Sequence, residues 1–494
     1  MTIISSQSLN DLDKLIQSGQ IEQASETLKK IKLISLSRSQ YSYFVQLCWR
    51  TGNVDIGLHL LNPYIKNRAV NLSSDEWVEY AMCLCNIGAI HEAQKVLQKK
   101  SQDHELFNSY MAFTFIYLWD YEQAIKYLHE AISIVDPKSY AYSVALVNLL
   151  ASYVAIEKFN EANKLYTKLK TELPEKYQRL HYNLYELYLQ LLCAEKRIDE
   201  GIDFLNKQYS SATLTGPENV LFLKWKTILQ VESGAIDKKE LLEVSNIANS
   251  HSMWEVARDC ETRFAFLTKN PIFLKRVFYG TPWEKFRERI FNKFKNEIDF
   301  TMSFDIWLYP NNEASSKEKT EPQFIVDTAE GIIGSLSLKK ASLSHRLIRV
   351  LASDLYRPHS IGGMFTKLFE DESFDIATSP NRIYRAISEL RDLLEVEKIP
   401  LEIKQIGHGY KLIPLIGIKI RIPSTINSKK LDFKISNLKS KFKADFTTKE
   451  VAEELNFSIK TAQRMINTAI DSGIIEKFKI KTKVRYRWKH TFVK

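Results

Sequence analysis

One pattern of apolar and small residues occurs six times in the first half of the chain. A bulky apolar residue is followed three positions later by Ala or Gly, and four positions after that usually by Leu. The six copies are Ile21/Ala24/Leu28, Val54/Gly57/Leu61, Ile90/Ala93/Leu97, Tyr121/Ala124/Leu128, Phe159/Ala162/Tyr166 and Ile198/Gly201/Leu205. Positions i, i+3 and i+7 lie on one face of a helix, and a small residue there lets a neighbouring helix approach closely. Because the small residues recur at similar intervals, the pattern predicts helices that stack as a regular repeat.

The repeat resembles the tetratricopeptide repeat, a helix pair with a period of about 34 residues. The fourth copy matches best, with small residues at Ala112, Ala124 and Ala131. Further helical signals continue to residue 268. The resemblance implies an α-solenoid over residues 1–270, whose extended surface senses or docks a protein or peptide partner.

Aromatic residues are concentrated on the first helix of each predicted pair. They are Tyr41, Tyr43, Trp49, Trp77, Tyr80, Tyr140, Tyr142, Tyr182, Tyr185 and Tyr188, among others. Two interpretations stay open at this stage. The rings either line a concave groove for a peptide or small molecule, or they fill the space between successive repeats.

The period changes at Pro271, and we predict a bridging helix followed by a linker over residues 271–321. The helix carries apolar side chains on one face from Trp283 to Phe294. The stretch 310–322 is polar and has Pro at both ends, which is typical of a linker.

Residues 322–416 alternate short extended segments with helices. The expected order is strands around 324–327 and 332–338, helices over 344–355, 362–369 and 379–395, and a hairpin of 401–406 with 410–413. Strands, three helices and a terminal hairpin predict a winged helix, an α+β fold.

The last helix and hairpin resemble the DNA-binding domain of OmpR/PhoB-type response regulators. The resemblance rests on Ile383, Ile387, Leu390-Arg391 and Leu394 in the helix and on Gly407-His408-Gly409-Tyr410 in the hairpin. In that family the helix enters the major groove of DNA. The resemblance implies six DNA-binding residues, namely Arg382, Tyr384, Arg385, Ser388, Arg391 and His408.

Residues 417–494 are predicted to hold a second winged helix. Thr447 and Glu450 have the spacing of a capping box at the start of a first helix. A second helix over 459–472 is expected to bury Ile459, Ala462, Ile466 and Ala469, and a hairpin of 474–479 and 484–488 follows. This order resembles prokaryotic winged helix-turn-helix regulators. The DNA-binding candidates here are Ser458, Lys460, Thr461, Gln463, Arg464, Lys481, Lys483, Arg485 and Arg487.

The charge distribution points to an anionic partner. The chain carries a net charge of +10, of which residues 1–270 contribute −3, residues 271–410 contribute 0 and residues 411–494 contribute +13. A terminal block this basic is typical of proteins that bind nucleic acid or an anionic membrane. The cations of residues 481–489 alternate with Tyr486 and Trp488, which favours a DNA-binding hairpin over a solvated basic tail.

Composition and missing motifs argue against an enzyme. The chain has 45% hydrophobic and 26% charged residues, as soluble globular proteins do. Its five scattered cysteines fit a reducing compartment, and the segment from Met1 to Lys14 lacks the pattern of a secretory signal. No GxxxxGK[ST], HExxH, CxxC or GxSxG sequence occurs, so we expect no catalytic residues, cofactor or metal.

The sequence therefore predicts a mainly α-helical, cytoplasmic bacterial transcription regulator that binds duplex DNA, with a homodimer as a possible assembly. The alternative is a non-catalytic scaffold whose repeats and winged helices bind only proteins. Two features favour the alternative. Residues 331–410 carry a net charge of only +1, and Glu389 stands four positions after Arg385, at the spacing of an ion pair.

Arg464 is predicted to contact a base edge in the major groove. A lost bidentate base contact costs about 1–3 kcal/mol and relaxes the preference at one base position. Arg464→Ala should therefore change the DNA motif selected from random duplexes as well as the affinity. Recovery of the wild-type motif at uniformly lower affinity would assign Arg464 to a phosphate instead.

Overall fold

The structure of the protein is a computed structural model that describes most of the chain. The described residues are 6–66, 71–209, 217–300, 304–310, 324–340, 342–369, 372–422, 442, 445–455, 459–471, 475–480 and 483–488. The chain is mainly α-helical with a few small sheets, as the sequence predicts.

Helices dominate the described part of the chain up to residue 294, and each packs against the next. They are α1 (Ser6–Gln17), α2 (Ile21–Lys29), α3 (Tyr41–Arg50), α4 (Val54–Lys66), α5 (Ser74–Asn86), α6 (Ile90–Lys100), α7 (Phe107–Tyr117), α8 (Tyr121–Ile134), α9 (Tyr140–Ala155), α10 (Phe159–Glu172), α11 (Gln178–Ala194), α12 (Ile198–Tyr209), α13 (Pro217–Glu232), α14 (Glu240–Ser250), α15 (Trp254–Thr268), α16 (Pro271–Tyr279) and α17 (Glu284–Phe294). Helix α3 also contacts α5, and α5 contacts α7. The helices thus form pairs that stack in chain order, and α1 to α15 are the repeat stack.

The six copies of the sequence pattern form the second helices of six pairs. Helices α2, α4, α6, α8, α10 and α12 begin at the bulky apolar residues of the pattern, and every small residue is buried. A β-carbon at Gly57 would lie 3.1 Å from Val45 Cγ1 and 3.2 Å from Cys83 Sγ. The small residue therefore lets α4 lie close to both α3 and α5.

The turns within the helix pairs share one backbone conformation. The left-handed region is occupied by Gly52 with φ of 77° and Gly88 with φ of 88°, and also by Trp119 and Glu157 with φ of 60° and 62°. Side chains other than Gly rarely adopt this region. The packing of each helix pair therefore imposes the turn even where the sequence has no glycine.

Residues 304–422 are called the mixed unit, and the structure describes three helices and two small sheets in it. Their elements are β1 (Phe304–Leu308), β2 (Ile325–Asp327), β3 (Ile332–Ile333), β4 (Leu336–Ser337), α18 (Leu343–Leu351), β5 (His359–Ser360), α19 (Ile361–Leu368), α20 (Ser379–Val396), β6 (Leu401–Ile406), β7 (Gly409–Pro414) and β8 (Ile418–Ile422). One sheet has the order β1-β8-β2-β3-β4, and the other has the order β5-β7-β6.

The larger sheet crosses the sequence-based boundaries at 321 and 416. Strand β1 precedes the first boundary and β8 follows the second. Ile420 on β8 lies opposite Ile306 in an antiparallel pair and opposite Val326 in a parallel pair. All three side chains are buried, so β1 and β8 belong to the mixed unit.

Residues 445–488, the basic unit, contain two helices and a hairpin. The elements are α21 (Thr448–Leu455), α22 (Ile459–Asp471), β9 (Ile475–Ile480) and β10 (Lys483–Trp488). The predicted capping box is confirmed, since the Glu450 N–H donates to Thr447 Oγ1 at 3.3 Å and the Thr447 N–H donates to Glu450 Oε2 at 2.7 Å.

The prediction that Ile459 is buried is wrong. Its side chain is 62% exposed, whereas Ala462, Ile466 and Ala469 are fully buried. Helical side chains tilt toward the helix N-terminus. Because Ile459 is the first residue of α22, its side chain points beyond the packed face.

A continuous hydrophobic core joins the first repeats to the mixed unit. It includes Phe44 and Leu97 of the repeat stack, Phe273 of α16, and Leu351 and Ile387 of the mixed unit. Helices α8 to α10, the middle repeats, and the basic unit have clusters of their own. The mixed unit is therefore packed onto both ends of the repeat stack while the middle repeats hold their own core.

The five cysteines are all buried as free thiols. Burial raises the pKa of the Cys48 and Cys85 thiols far above neutrality, which keeps them protonated. Within the described ranges, no helix combines the length and apolar character needed to cross a membrane.

A buried carboxylate joins three helices of the repeat stack. Glu79 on α5 accepts hydrogen bonds from Trp49 Nε1 at 2.6 Å, Tyr110 Oη at 2.8 Å and Gln46 Nε2 at 3.1 Å. Burial raises the pKa of Glu79 to about 7, although the three donors oppose the shift. The contact between α3, α5 and α7 therefore depends on the protonation of one side chain.

Glu79→Gln should reduce the pH dependence of stability. The folded-state pKa lies above the ordinary value of 4.5, so the contribution of Glu79 is full below pH 4.5 and is lost as the pH rises through about 7. The difference between these two pKa values corresponds to about 3 kcal/mol in the free energy of unfolding. Urea unfolding at pH 5 and pH 8 measures it in both proteins. An equal change in wild type and variant would contradict the assignment.

Candidate nucleic-acid interface

Helix α20 has one buried face and one exposed face, as its sequence predicts. Ile383, Ile387, Leu390 and Leu394 are at most 3% exposed, and the helix contacts α18, α19 and β6. The polar side chains between them face solvent. The helix therefore presents a polar surface beside the hairpin formed by β6 and β7.

Arg382 lies in the first turn of α20 and is held by the segment before the helix. Its Nη1 and Nη2 both donate to the Glu372 carboxylate, Nη2 at 3.0 Å from Oε1. The guanidinium also lies over the Phe369 ring, 3.8 Å from its centroid. The hydrogen bonds to Glu372 raise the pKa of Arg382. Arg382 thus reaches the predicted DNA-binding face but already has an anionic partner.

Arg385 and Arg391 differ in their surroundings. Arg385 Nε donates to Glu389 Oε1 at 2.9 Å, and the Arg385 side chain is 83% exposed. Arg391 Nε donates to the Ile403 carbonyl at 3.0 Å, and its guanidinium lies 5.7 Å from the Tyr410 ring centroid. Arg385 therefore projects into solvent, whereas Arg391 fastens the hairpin to α20.

The other candidates of the mixed unit lie near these arginines. Ser388 on α20 and His408 at the hairpin turn are exposed. Tyr384 is 45% exposed, and its ring meets Tyr410 edge-on with centroids 6.5 Å apart. The structure thus brings the exposed side of α20 and the hairpin together through the two tyrosines.

Gln463 lies between the helices and the hairpin of the basic unit. It accepts from Thr448 Oγ1 at 2.9 Å, and its Nε2 donates to Tyr486 Oη at 3.0 Å. Arg487 on β10 donates from Nε to Glu476 on β9. In this conformation both candidate side chains therefore have partners within the unit.

The remaining candidates of the basic unit are described in part. Arg485 is half-buried on β10. For four of these candidates the structure describes the backbone and not the side chain, namely Lys460, Thr461, Arg464 and Lys483. Ser458 and Lys481 lie outside the described residues. Their assignment to DNA binding stays a prediction from the sequence.

Buried charges tie the mixed unit to the repeat stack, and sequence reasoning missed them. Arg258 on α15 donates from Nη2 to both carboxylate oxygens of Asp354, at 2.8 and 3.0 Å. Glu261 accepts from Tyr356 Oη at 2.6 Å and from Arg276 Nε at 2.9 Å. Arg258 and Asp354 are 96 residues apart in the chain, so no local pattern connects them.

Lys411 on β7 belongs to the same network. Its Nζ donates to the Tyr356 carbonyl at 2.8 Å, and burial lowers the pKa of Lys411 to about 8. Burial by itself would raise the pKa of Asp354, but the Arg258 guanidinium, His359 and the backbone N–H groups of Tyr356 and Arg357 together outweigh burial and hold that pKa below its usual value. Because Lys411 is on the hairpin, the network positions the candidate interface relative to the repeats.

Most of the aromatic rings predicted on the first helices pack against other rings. Trp49 meets Tyr110 edge-on with centroids 5.9 Å apart, and Tyr185 meets Phe204 edge-on at 5.7 Å. Tyr182, by contrast, is 50% exposed. These contacts favour packing between repeats for the paired rings and leave Tyr182 available to a ligand.

Comparison of the sequence with known protein families finds no match. Comparison with curated proteins also finds none. The function is therefore inferred from α20, the hairpin beside it and the charge of the basic unit.

Arg391→Ala should loosen the hairpin. A hydrogen bond from a charged group contributes about 1.5–3 kcal/mol, and its loss leaves the Ile403 carbonyl without this donor. We expect the free energy of unfolding to fall by that amount and amide exchange over residues 401–414 to accelerate. Arg385→Ala is the matched control, because an exposed ion pair adds little stability. Similar effects of both substitutions would contradict the roles given to the two arginines.

Proposed function

We propose that the protein is a DNA-binding transcriptional regulator. In this proposal the mixed unit and the basic unit bind duplex DNA as winged helices, and tetratricopeptide-like repeats over residues 1–270 sense or dock a protein or peptide. The observation that carries the proposal is the 18-residue helix α20, which is apolar toward the core and polar toward solvent beside a hairpin. The major groove of DNA is about 12 Å wide and admits one helix.

The surroundings of α20 support DNA binding by the mixed unit. A duplex along its exposed face would meet Arg385 and Ser388 from the helix and His408 from the hairpin. Arginine can donate two parallel hydrogen bonds to the O6 and N7 atoms of guanine. The exposed Arg385 side chain is the one in the mixed unit best placed to do so.

The charge of the basic unit supports its role as the main source of DNA affinity. Residues 411–494 carry +13, and affinity for phosphates grows with the number of cations that contact them. On β10 the aromatic side chains face inward, since Tyr486 is 2% exposed and Trp488 Nε1 donates to the Phe442 carbonyl at 2.8 Å. Arg485 and Arg487 alternate with them in the strand, and phosphate binding by Arg487 would replace its ion pair with Glu476.

Three observations support the docking role of the repeats. Small residues are buried at every copy of the pattern, the turns share one conformation, and residues 1–270 carry a net charge of −3. Stacked helix pairs present an extended surface that suits a peptide or protein. A surface with this charge balance does not favour DNA. The buried free thiols fit a cytoplasmic protein.

A non-catalytic scaffold is the second candidate, and the ion pairs of α20 favour it. Arg382 and Arg385 both contact carboxylates of the same unit. In a scaffold these pairs would be permanent, and the winged helices would contact proteins. Duplex binding by the intact protein distinguishes the two candidates.

Replacing Lys481, Lys483, Arg485 and Arg487 by Gln should flatten the salt dependence of duplex binding. Each phosphate contact contributes about 0.9 to the slope of log affinity against log salt. Fluorescence anisotropy with a duplex of random sequence measures that slope.

The matched control removes the same charge from the repeat stack. The control replaces the exposed residues Lys29, Lys30, Lys99 and Lys164 by Gln. It should keep the wild-type slope. An equal loss in the control would assign the affinity to overall charge, and no binding by the wild-type protein would favour the scaffold.

A further inference from the structure

The repeat stack contacts the mixed unit a second time, at the segment that leads into α20. The Ile87 carbonyl, in the turn after α5, accepts from Ser360 Oγ at 2.6 Å and from the Gly363 N–H at 3.0 Å. Glu92 on α6 accepts from the Phe374 N–H with both carboxylate oxygens, at 2.9 and 3.1 Å. Residues from early repeats thus hold the start of α19 and the segment before α20.

An ion pair completes this contact. Lys66 Nζ lies 2.9 Å from Asp375 Oδ2, and the two side chains are 49% and 30% exposed. The clasp consists of Lys66, Ile87 and Glu92 together with residues 360–369 and 372–375 that they hold. The clasp combines a partly exposed ion pair with hydrogen bonds to backbone groups, beside the hydrophobic core that the early repeats and the mixed unit share. Its polar contacts open at lower cost than the buried network around Arg258.

Glu372 lies in the segment that the clasp contacts, and its own N–H donates to the Phe369 carbonyl at 3.0 Å. Glu372 is two residues before Phe374, whose N–H is held by Glu92. From that position the Glu372 carboxylate binds both Nη atoms of Arg382. The repeat stack thereby keeps the first-turn arginine of α20 paired with an anion.

The clasp also covers the start of α19. In helix-turn-helix proteins the first helix crosses the DNA backbone while the N-terminal residues of the second contact base edges. A duplex placed on α20 in this way would pass its backbone over the start of α19, where Ile87 and Gly88 lie. The approach is close, since a β-carbon at Gly88 would be 2.5 Å from Ser360 Oγ.

We infer that the clasp is an autoinhibitory contact that holds the DNA-reading end of the mixed unit closed. This inference rests on the proposed DNA-binding function. The middle repeats lie between the two attachments and have buried clusters of their own, and in stacked repeats each unit contacts only its neighbours, so we place the bend there. A protein or peptide bound to the repeats would open the clasp by changing that bend.

Gly362→Ala opens the clasp from one side. A β-carbon at Gly362 would lie 2.5 Å from the Ile87 carbonyl oxygen and 2.7 Å from Ile87 Cγ1, whereas alanine suits the interior of α19 itself. Lys66→Glu opens it independently by placing a like charge opposite Asp375. Both substitutions are made in the full chain and leave the residues of the exposed α20 face intact.

Gly417→Ala is the control for a Gly-to-Ala change in the same unit. Its β-carbon would meet the Tyr309 ring at 3.4 Å, an ordinary contact. Two readouts are required. Amide hydrogen exchange at Gly363 and Phe374 reports whether the clasp is open, and anisotropy with a random-sequence duplex reports DNA affinity.

Both opening variants should exchange faster at the two amides and bind DNA at least about fivefold more tightly. Their salt slope should be steeper by about 0.9, because one cation is freed. The Gly417→Ala control should match the wild type in both readouts.

Three outcomes would overturn the inference in different ways. Faster exchange without tighter binding, when the wild-type protein binds DNA, would reject autoinhibition and leave the DNA-binding function intact. Unchanged exchange in both variants would show that the clasp does not open separately from the core, which also rejects autoinhibition. No DNA binding by the wild-type protein or by either opened variant would reject the proposed function and the inference with it.

Discussion

The buried pair of Arg258 and Asp354 is the interaction on which the arrangement of repeats and mixed unit depends. Their side chains are 1% and 5% exposed, so water reaches neither charge and each charge is compensated by the other. Removing one partner of such a pair costs about 3–5 kcal/mol. Tyr356 and Lys411 extend this network to the hairpin. The candidate DNA-binding surface is consequently carried by the repeat stack rather than by a freely moving domain.

Two attachments of different chemistry follow from this arrangement. One is the buried Arg258 network and the other is the clasp of partly exposed polar contacts, and both adjoin the shared hydrophobic core. The Arg258 network holds the hairpin in its orientation, and the clasp holds the residues before α20. Because the clasp contacts the segment before α20, it links the early repeats to the helix on which the proposed DNA contact rests.

Local periodicity was enough to predict the helices but not the contacts between distant segments. The pattern around Ala93 predicted α6, and the spacing of Ile383 and Ile387 predicted the buried face of α20. Strands β1 and β8 were missed because both are short and because most of the mixed unit separates them along the chain, although they pair with each other. Arg258 and Asp354 were missed for the same reason. Glu389 was suspected as the partner of Arg385, because an i, i+4 pair is a local feature.

For the candidate interface, too, local periodicity predicts which side chains are exposed and does not predict their contacts with distant segments. The exposure of Arg385 and Ser388 follows from helical phase alone. The use of Arg391 to hold the Ile403 carbonyl does not, because a guanidinium at the edge of a helix reaches a neighbouring strand as easily as solvent. The pairing of Arg382 with Glu372 does not follow from helical phase either, because Glu372 lies before the helix, in a segment that also contacts Glu92 of the repeats.

Photocrosslinking of the intact protein to a duplex tests most directly whether the exposed side of α20 meets DNA. A photoreactive residue is placed at position 388 on α20, at position 408 in the hairpin turn, or at the exposed position 247 on α14 of the repeat stack. DNA binding by the mixed unit predicts crosslinks from 388 and 408 and none from 247. A protein that binds the duplex but crosslinks from 247, or from neither 388 nor 408, would contradict it.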